Sequence, residues 1–398
     1  MKNWFRFVWV NKRILNFGFV FSFFTAFGQT FFIALFFPIW VKSFHISNAT
    51  FGTLYALATI ASAFLLSFLG KYIDRMPLRK FGAFVFCGLM ISVLLLSFAN
   101  HIVVLTLGLL MVRLFGQGLM THTSTTGIAK FFNLNRGKAL GVTSLGHPAG
   151  QFLIPLLAVP LIAYAGWRTA LLVIALAAIA IIIPSLLAMN TVKDNISAAS
   201  TKVFSGKAKS HVMCSPKFWI IALNVFSIPF VTTSIFLYQY NIGICKGWDG
   251  SWLSFSFLFY AVFNAFFLFF AGNLVDKFSG RVLFPIYPIP AIIALLLMFF
   301  VNSLWIGPVF YSLLGISSGL ASTIKTDLFV EVYGSDNLGE IRSYFTTIMV
   351  LSTALGPAVF GYLLDGHISL NTILGVSGIA IFVITIISMK VWRIKENK

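Results

Sequence analysis

Long apolar runs alternate with short polar breaks along almost the whole chain. The runs fall at 14–40, 51–70, 81–99, 103–125, 138–160, 168–189, 217–240, 251–272, 282–301, 304–325, 342–364 and 370–389. A helix needs roughly 20 apolar residues to cross a bilayer. The pattern therefore predicts an all-α polytopic membrane protein with twelve transmembrane helices. The stretches Val142–Tyr164 and Leu283–Val301 are interrupted by prolines and admit other cuts. The first run is too long for the apolar core of a signal peptide and reads as the first span.

Composition agrees. Of the 398 residues, 59% are hydrophobic and 10% charged, against about 25% charged in a typical soluble domain. No single soluble core could hide that surface, so lipid is the solvent.

Charge then orients the chain. There are 28 Lys and Arg residues against 10 Asp and Glu, a net charge of +18. If the N-terminus is cytoplasmic, 24 of the 28 fall in interior segments, outer connections keep only Lys42, Arg168 and Lys246, and Arg113 alone lies inside a span. Cytoplasmic loops carry such an excess. The expectation is an integral plasma-membrane protein, in the inner membrane if the source is Gram-negative, with both termini cytoplasmic. A nucleic-acid binder would gather its charge on one element instead of dosing every second loop. Cys87, Cys214 and Cys245 are scattered, without the spacing of a disulfide framework or a metal site.

The longest interior break, 190–216, has the composition of a linker. It divides the chain into an N-terminal six-helix bundle, 1–189, and a C-terminal one, 217–398. The halves echo each other. Gly70, Asp74, Arg75, Arg79 and Lys80 follow span two, while Gly272, Asp276, Lys277 and Arg281 follow span eight. Paired halves of this kind are a sequence sign of a transporter.

These residues carry a resemblance. The Gly70–Lys80 stretch is similar to the signature loop between helices two and three of the major facilitator superfamily, and Gly272–Arg281 to its copy between helices eight and nine. Arg113, Gly116, Gln117 and Gly118 resemble the superfamily's helix-four motif. Gly141, Gly146, Pro148 and Gly150 resemble its glycine-proline motif in helix five. The resemblance implies a major facilitator fold whose two loops latch and release during alternating access. Gly166–Arg168 and the region from Gly356 to Asp365 are similar, less specifically, to the monocarboxylate and oxalate/formate carrier branch. That branch places charges in helices eight and eleven. Here span eight has none, and span eleven none between Ser343 and Leu364, so the branch's substrate does not transfer.

The remaining polar residues nominate a binding site. A charge deep in a span is costly and must face protein or water, which leaves Arg113 a structural role at helix ends or a role in binding and coupling. His147 and Gln151 share one face of span five, Pro148 frees a carbonyl, and an imidazole titrates in the range useful for coupling. The glycines at 141, 146 and 150 argue equally for close packing. His122 marks the inner mouth of the pathway or simply the end of span four. Gln29, Tyr260 and Asn264 are further cavity candidates. Lys325, Asp327 and Glu331 bracket the inner end of span ten and are followed by Asp336, Glu340 and Arg342. This acidic concentration is expected to supply ion-pair partners across the two bundles, with a wholly solvated patch as the alternative.

No Walker loop, zinc spacing or nucleophile elbow occurs, so neither an enzyme, a cofactor nor a metal is expected. The expected function is secondary active transport of a small organic solute, a monocarboxylate or another anionic or zwitterionic metabolite, coupled to protons through His147. The alternatives are an efflux carrier for amphiphilic compounds, or an exchanger or facilitator without proton coupling. Partners are the solute, protons and membrane lipids, with a monomer as the working unit.

Overall fold

The computed structural model describes residues 2–132, 135–189, 212–334 and 338–393, and every regular element among them is helical. Hydrocarbon offers no water to backbone N–H and C=O groups, so a spanning segment must satisfy its own, as a helix does. In chain order the long elements are α1 (Lys12–Ser43), α2 (Asn48–Leu69), α3 (Leu78–Ser97), α4 (Ile102–Phe131), α5 (136–165), α6 (167–188), α7 (Pro216–Leu237), α8 (Gly250–Phe278), α9 (280–300), α10 (Ile306–Tyr333), α11 (Leu338–Asp365) and α12 (Leu370–Ser388). Most of the expected linker, 190–211, lies outside the described residues, as does Asp336.

Nine stretches among the described residues are long and apolar enough to cross a membrane. One of them, Arg136–Ala188, is α5 and α6 joined without a loop, turned at Gly166 with φ 76° and ψ 161°. A residue without Cβ takes that conformation at least cost. Beside the turn, Arg168 Nη2 donates to the Ala99 carbonyl and to Asn100 Oδ1, both at 2.9 Å, while Ser97 Oγ donates to the Arg168 carbonyl at 3.1 Å. The Gly-Trp-Arg triplet thus clasps the end of α3 to the start of α6. In α9 the helix gives way to turns between Leu283 and Ile289, where Pro285 and Pro288 remove backbone donors.

The chain groups into two compact units. The first holds Met1–Ile46 and Leu57–Thr201, the second Ser47–Ala56 and Lys202–Lys398. The first turns of α2 therefore group with the second unit.

Within the first unit, α1 is the core element. Phe17, Phe21, Phe27, Phe32 and Phe36 are fully buried, and ring contacts run from Phe32 through Phe36 to Trp40 at centroid distances of 5.2 and 5.4 Å. These phenylalanines fill the space between helices. Within the second unit, α8 packs along a glycine face of α10. A Cβ at Gly315 would lie 2.6 Å from the Tyr260 carbonyl oxygen, and one at Gly319 would lie 2.9 Å from the Leu268 nitrogen. Small residues of this kind let membrane helices approach closely. A buried polar chain adds to the packing, with Tyr287 donating to Asn224 Oδ1 at 2.6 Å and Asn224 Nδ2 donating to Ser388 Oγ at 3.2 Å. It ties α9, α7 and α12 together.

Candidate functional site

In the first unit the helix breaks in the middle of α1. Residues Thr25–Gly28 tighten into a 3-10 turn, Gln29 is extended at φ −82° and ψ 151°, and the helix resumes at Thr30. In an unbroken helix the Gly28 carbonyl would accept from Phe32. Here the Phe32 and Ile33 amides both donate to the Gln29 carbonyl instead, at 3.1 and 3.2 Å. Gly28 is left with a carbonyl to satisfy.

Arg113 meets that need. Its Nη1 donates to the Gly28 carbonyl at 3.0 Å, and the side chain is only 3% exposed. The approach depends on glycines, because a Cβ at Gly28 would lie 2.6 Å from the Val112 carbonyl oxygen and one at Gly116 would lie 2.7 Å from the Gly28 nitrogen. Around these contacts α4 is wound as a π-helix over Val112–Leu119. Such bulges occur often at functional sites.

His147 reaches the same break from α5. Its Nδ1 lies 3.0 Å from Thr25 Oγ1, and Thr25 Oγ1 donates to the Ser22 carbonyl at 2.6 Å. The single hydroxyl hydrogen is thereby used. With Thr25 accepting, His147 Nδ1 donates, and in the neutral imidazole Nε2 then presents a lone pair. Helix α5 is itself interrupted at Leu145, just before the His147-Pro148 pair. Gly146 and Gly150 press against α1, where added Cβ atoms would lie 2.9 Å from the Phe23 nitrogen and 3.0 Å from the Phe23 carbonyl carbon.

Arg113 and His147, distant in sequence, thus hold positions three apart on one broken turn. Gln29 is half-buried at the break, and Gln151 is buried one turn beyond His147. Gly141 does not join them. It is exposed, and a Cβ there would meet nothing within 4 Å. Tyr260 and Asn264 lie in the second unit, on the α8 face against α10. Tyr260 is buried with its ring 4.7 Å from Phe236, and Asn264 is half-buried with its backbone against Gly315 and Gly319.

The two signature loops differ in detail. After α2, Gly70–Asp74 forms a 3-10 turn. Its Asp74 pairs with Lys130 in the last turn of α4, both about half exposed. The Gly70 carbonyl accepts from His122 Nε2 at 3.1 Å, and His122 Nδ1 accepts from Thr126 Oγ1 at 3.2 Å. His122 is therefore a clamp on this loop. Arg75 lies 5.8 Å over the Tyr72 ring, Arg79 is half-buried and Lys80 is exposed. An exposed pair such as Asp74–Lys130 stabilises by about 0–1 kcal/mol. Asp74→Asn should accordingly leave thermal stability almost unchanged while altering the transport rate several-fold, measured as initial uptake in vesicles beside a melting curve.

In the second unit the carboxylates come from α10. Asp327 Oδ2 accepts from the Gly280 amide at 2.8 Å, and Glu331 Oε2 accepts from the Arg281 amide at 3.1 Å and lies 3.7 Å from Arg281 Nε. Their partners are the unpaired donors at the start of α9, within one unit. Asp276 and Lys277 are exposed in the last turn of α8, and Asp276 makes no ion pair among the described residues. A Cβ at Gly272 would meet nothing within 4 Å, whereas one at Gly280 would lie 2.7 Å from the Leu328 nitrogen. The glycine that matters in this copy is Gly280.

The family model for the major facilitator superfamily matches residues 19–357 and 246–398. The chain belongs to this superfamily. Solved structures agree in fold. A bacterial homolog of the human lysosomal transporter Spinster, inward-facing and occupied, superposes with a TM-score of 0.76 at 16% identity, covering 97% of each chain. Its unoccupied inward-facing form gives 0.77 at 16% identity over 96% of this chain and 97% of that one. A variant of the nucleoside transporter NupG gives 0.74 at 12% identity over 96% and 99%. No curated protein sequence matches. The superfamily member is an integral membrane transporter, and neither family nor neighbours point to an enzyme.

Proposed function

We propose that this transporter is a secondary carrier for a small organic anion or zwitterion, a monocarboxylate first among them, working by alternating access and coupled to protons. Both termini face the cytoplasm in this reading, which the excess of basic residues in alternate loops supports. The observation that supports it is the broken turn of α1 held by Arg113 and His147 together. Interrupted helices supply backbone groups for solute and coupling ions in secondary transporters. The guanidinium brings a permanent positive charge, and the imidazole brings one that protonation at Nε2 would add. An anion entering with a proton would meet two cations, then one after the proton leaves.

The test is counterflow in proteoliposomes. Vesicles loaded with unlabelled lactate, pyruvate or acetate should take up the labelled acid transiently above equilibrium. Uptake of none of these, with strong counterflow of a neutral or cationic solute, would reject the substrate class.

A second reading has one observation in its favour. The second unit holds a cavity of about 460 Å³ with an apolar wall that includes Phe226, Phe230, Phe360 and Val376. An efflux carrier for amphiphilic compounds would use such a wall, and its transport would persist with chemically unrelated lipophilic solutes.

A further inference from the structure

Helix α2 is continuous, yet its first turns belong to the second unit while the remainder, from Leu57, belongs to the first. What holds those first turns is specific. Asp365, the last residue of α11, accepts from the Asn48 amide at 3.2 Å and from Asn48 Nδ2 at 2.8 Å on Oδ1, and from the Ala49 amide at 2.7 Å on Oδ2. A carboxylate placed on unpaired amides at a helix start gains from both the hydrogen bonds and the helix dipole. Tyr238, just after α7, directs its hydroxyl to the Asn48 carbonyl at 3.2 Å and the Pro357 carbonyl at 2.8 Å.

Glycines set the distance. A Cβ at Gly52 would lie 2.6 Å from the Pro357 carbonyl oxygen, and one at Gly361 would lie 2.6 Å from the Asn48 carbonyl oxygen. The contact is also built to part. Ser47 Oγ accepts from the Thr50 amide at 3.1 Å, so α2 keeps a cap of its own when Asp365 leaves. Asp365 and Asn48 are both half-buried, within reach of water that can replace each partner.

We propose that Asp365, with Asn48 and Tyr238, is a releasable latch that fastens the first turns of α2 to α11 in one state of the transport cycle and frees them in the other. The proposal rests on the alternating-access reading above. It assigns the latch to the end of α2 opposite the Gly70 loop.

Spin labels at Thr50→Cys and Tyr362→Cys, both exposed positions, report the separation directly in a background where Cys87, Cys214 and Cys245 are replaced by serine. Without solute, the unmodified latch should give one dominant short distance. Asp365→Asn places an amide donor against an amide donor and should raise the ratio of long to short distances at least tenfold. Tyr238→Phe removes one hydroxyl, keeps the ring, and should raise it several-fold, which covers the case of an Asp365 variant that does not fold. Distance distributions in Tyr238→Phe and a folded Asp365→Asn that superimpose on the parent would overturn the latch. The distances are read without solute, so failure to transport any acid would reject the carrier reading and leave this result standing.

Discussion

Arg113→Lys should lower counterflow at least tenfold while the protein still folds and inserts. The lysine ammonium can reach toward the Gly28 carbonyl, but it lacks the planar fork that lets one guanidinium serve several acceptors at fixed angles. Arg113 is almost fully buried among Gly28, Gly116 and the π-helical turn of α4, so no slack exists for a differently shaped donor. Arg113→Met removes the donor altogether. An unsatisfied buried carbonyl costs about 1–3 kcal/mol, so this variant should also melt several degrees lower. Initial rates of counterflow, set beside melting curves in the same detergent, separate the two effects. A lysine variant that transports at the parental rate would show that the guanidinium only fills space.

His147→Gln should abolish accumulation driven by a pH gradient, by tenfold or more, yet leave exchange at equal pH on both sides largely intact. Glutamine has an amide that can donate to Thr25 Oγ1, as His147 Nδ1 does, so the hold on the broken turn is kept. What it cannot do is take up a proton at the Nε2 position. Accumulation measured across an imposed gradient and solute exchange without one are the paired readouts. Loss of both together would mean that the imidazole is needed for structure, and retention of both would assign coupling elsewhere.

The helical plan was legible because twelve apolar runs with polar breaks leave few alternatives in lipid, and the glycines at 146 and 150 announced a close approach that α1 accepts. The site was legible only in part. Arg113 and His147 stood out as costly groups in spans, but nothing in Thr25-Ala-Phe-Gly28-Gln29 marks a break in the manner of a proline. It exists because α4 and α5 supply donors to the groups it exposes, which is a tertiary cause. Two weaker signals are present, a glycine followed by an amide inside a phenylalanine-rich run. The second signature loop shows the same limit. It repeats the sequence pattern of the Asp74 loop, while the free amides at the start of α9 are capped by Asp327 and Glu331 on α10, and no local spacing carries that arrangement. Asp365 likewise reads as an ordinary helix end until Asn48 is seen beside it.

The central claim is that solute and proton move together through the turn that His147 holds. Internal pH, followed with a trapped indicator dye when lactate is added outside proteoliposomes held at zero membrane potential, tests it most directly. The account predicts prompt internal acidification in the parent protein and none above leak in His147→Gln. Labelled lactate entering the parent vesicles with no accompanying pH change would contradict it.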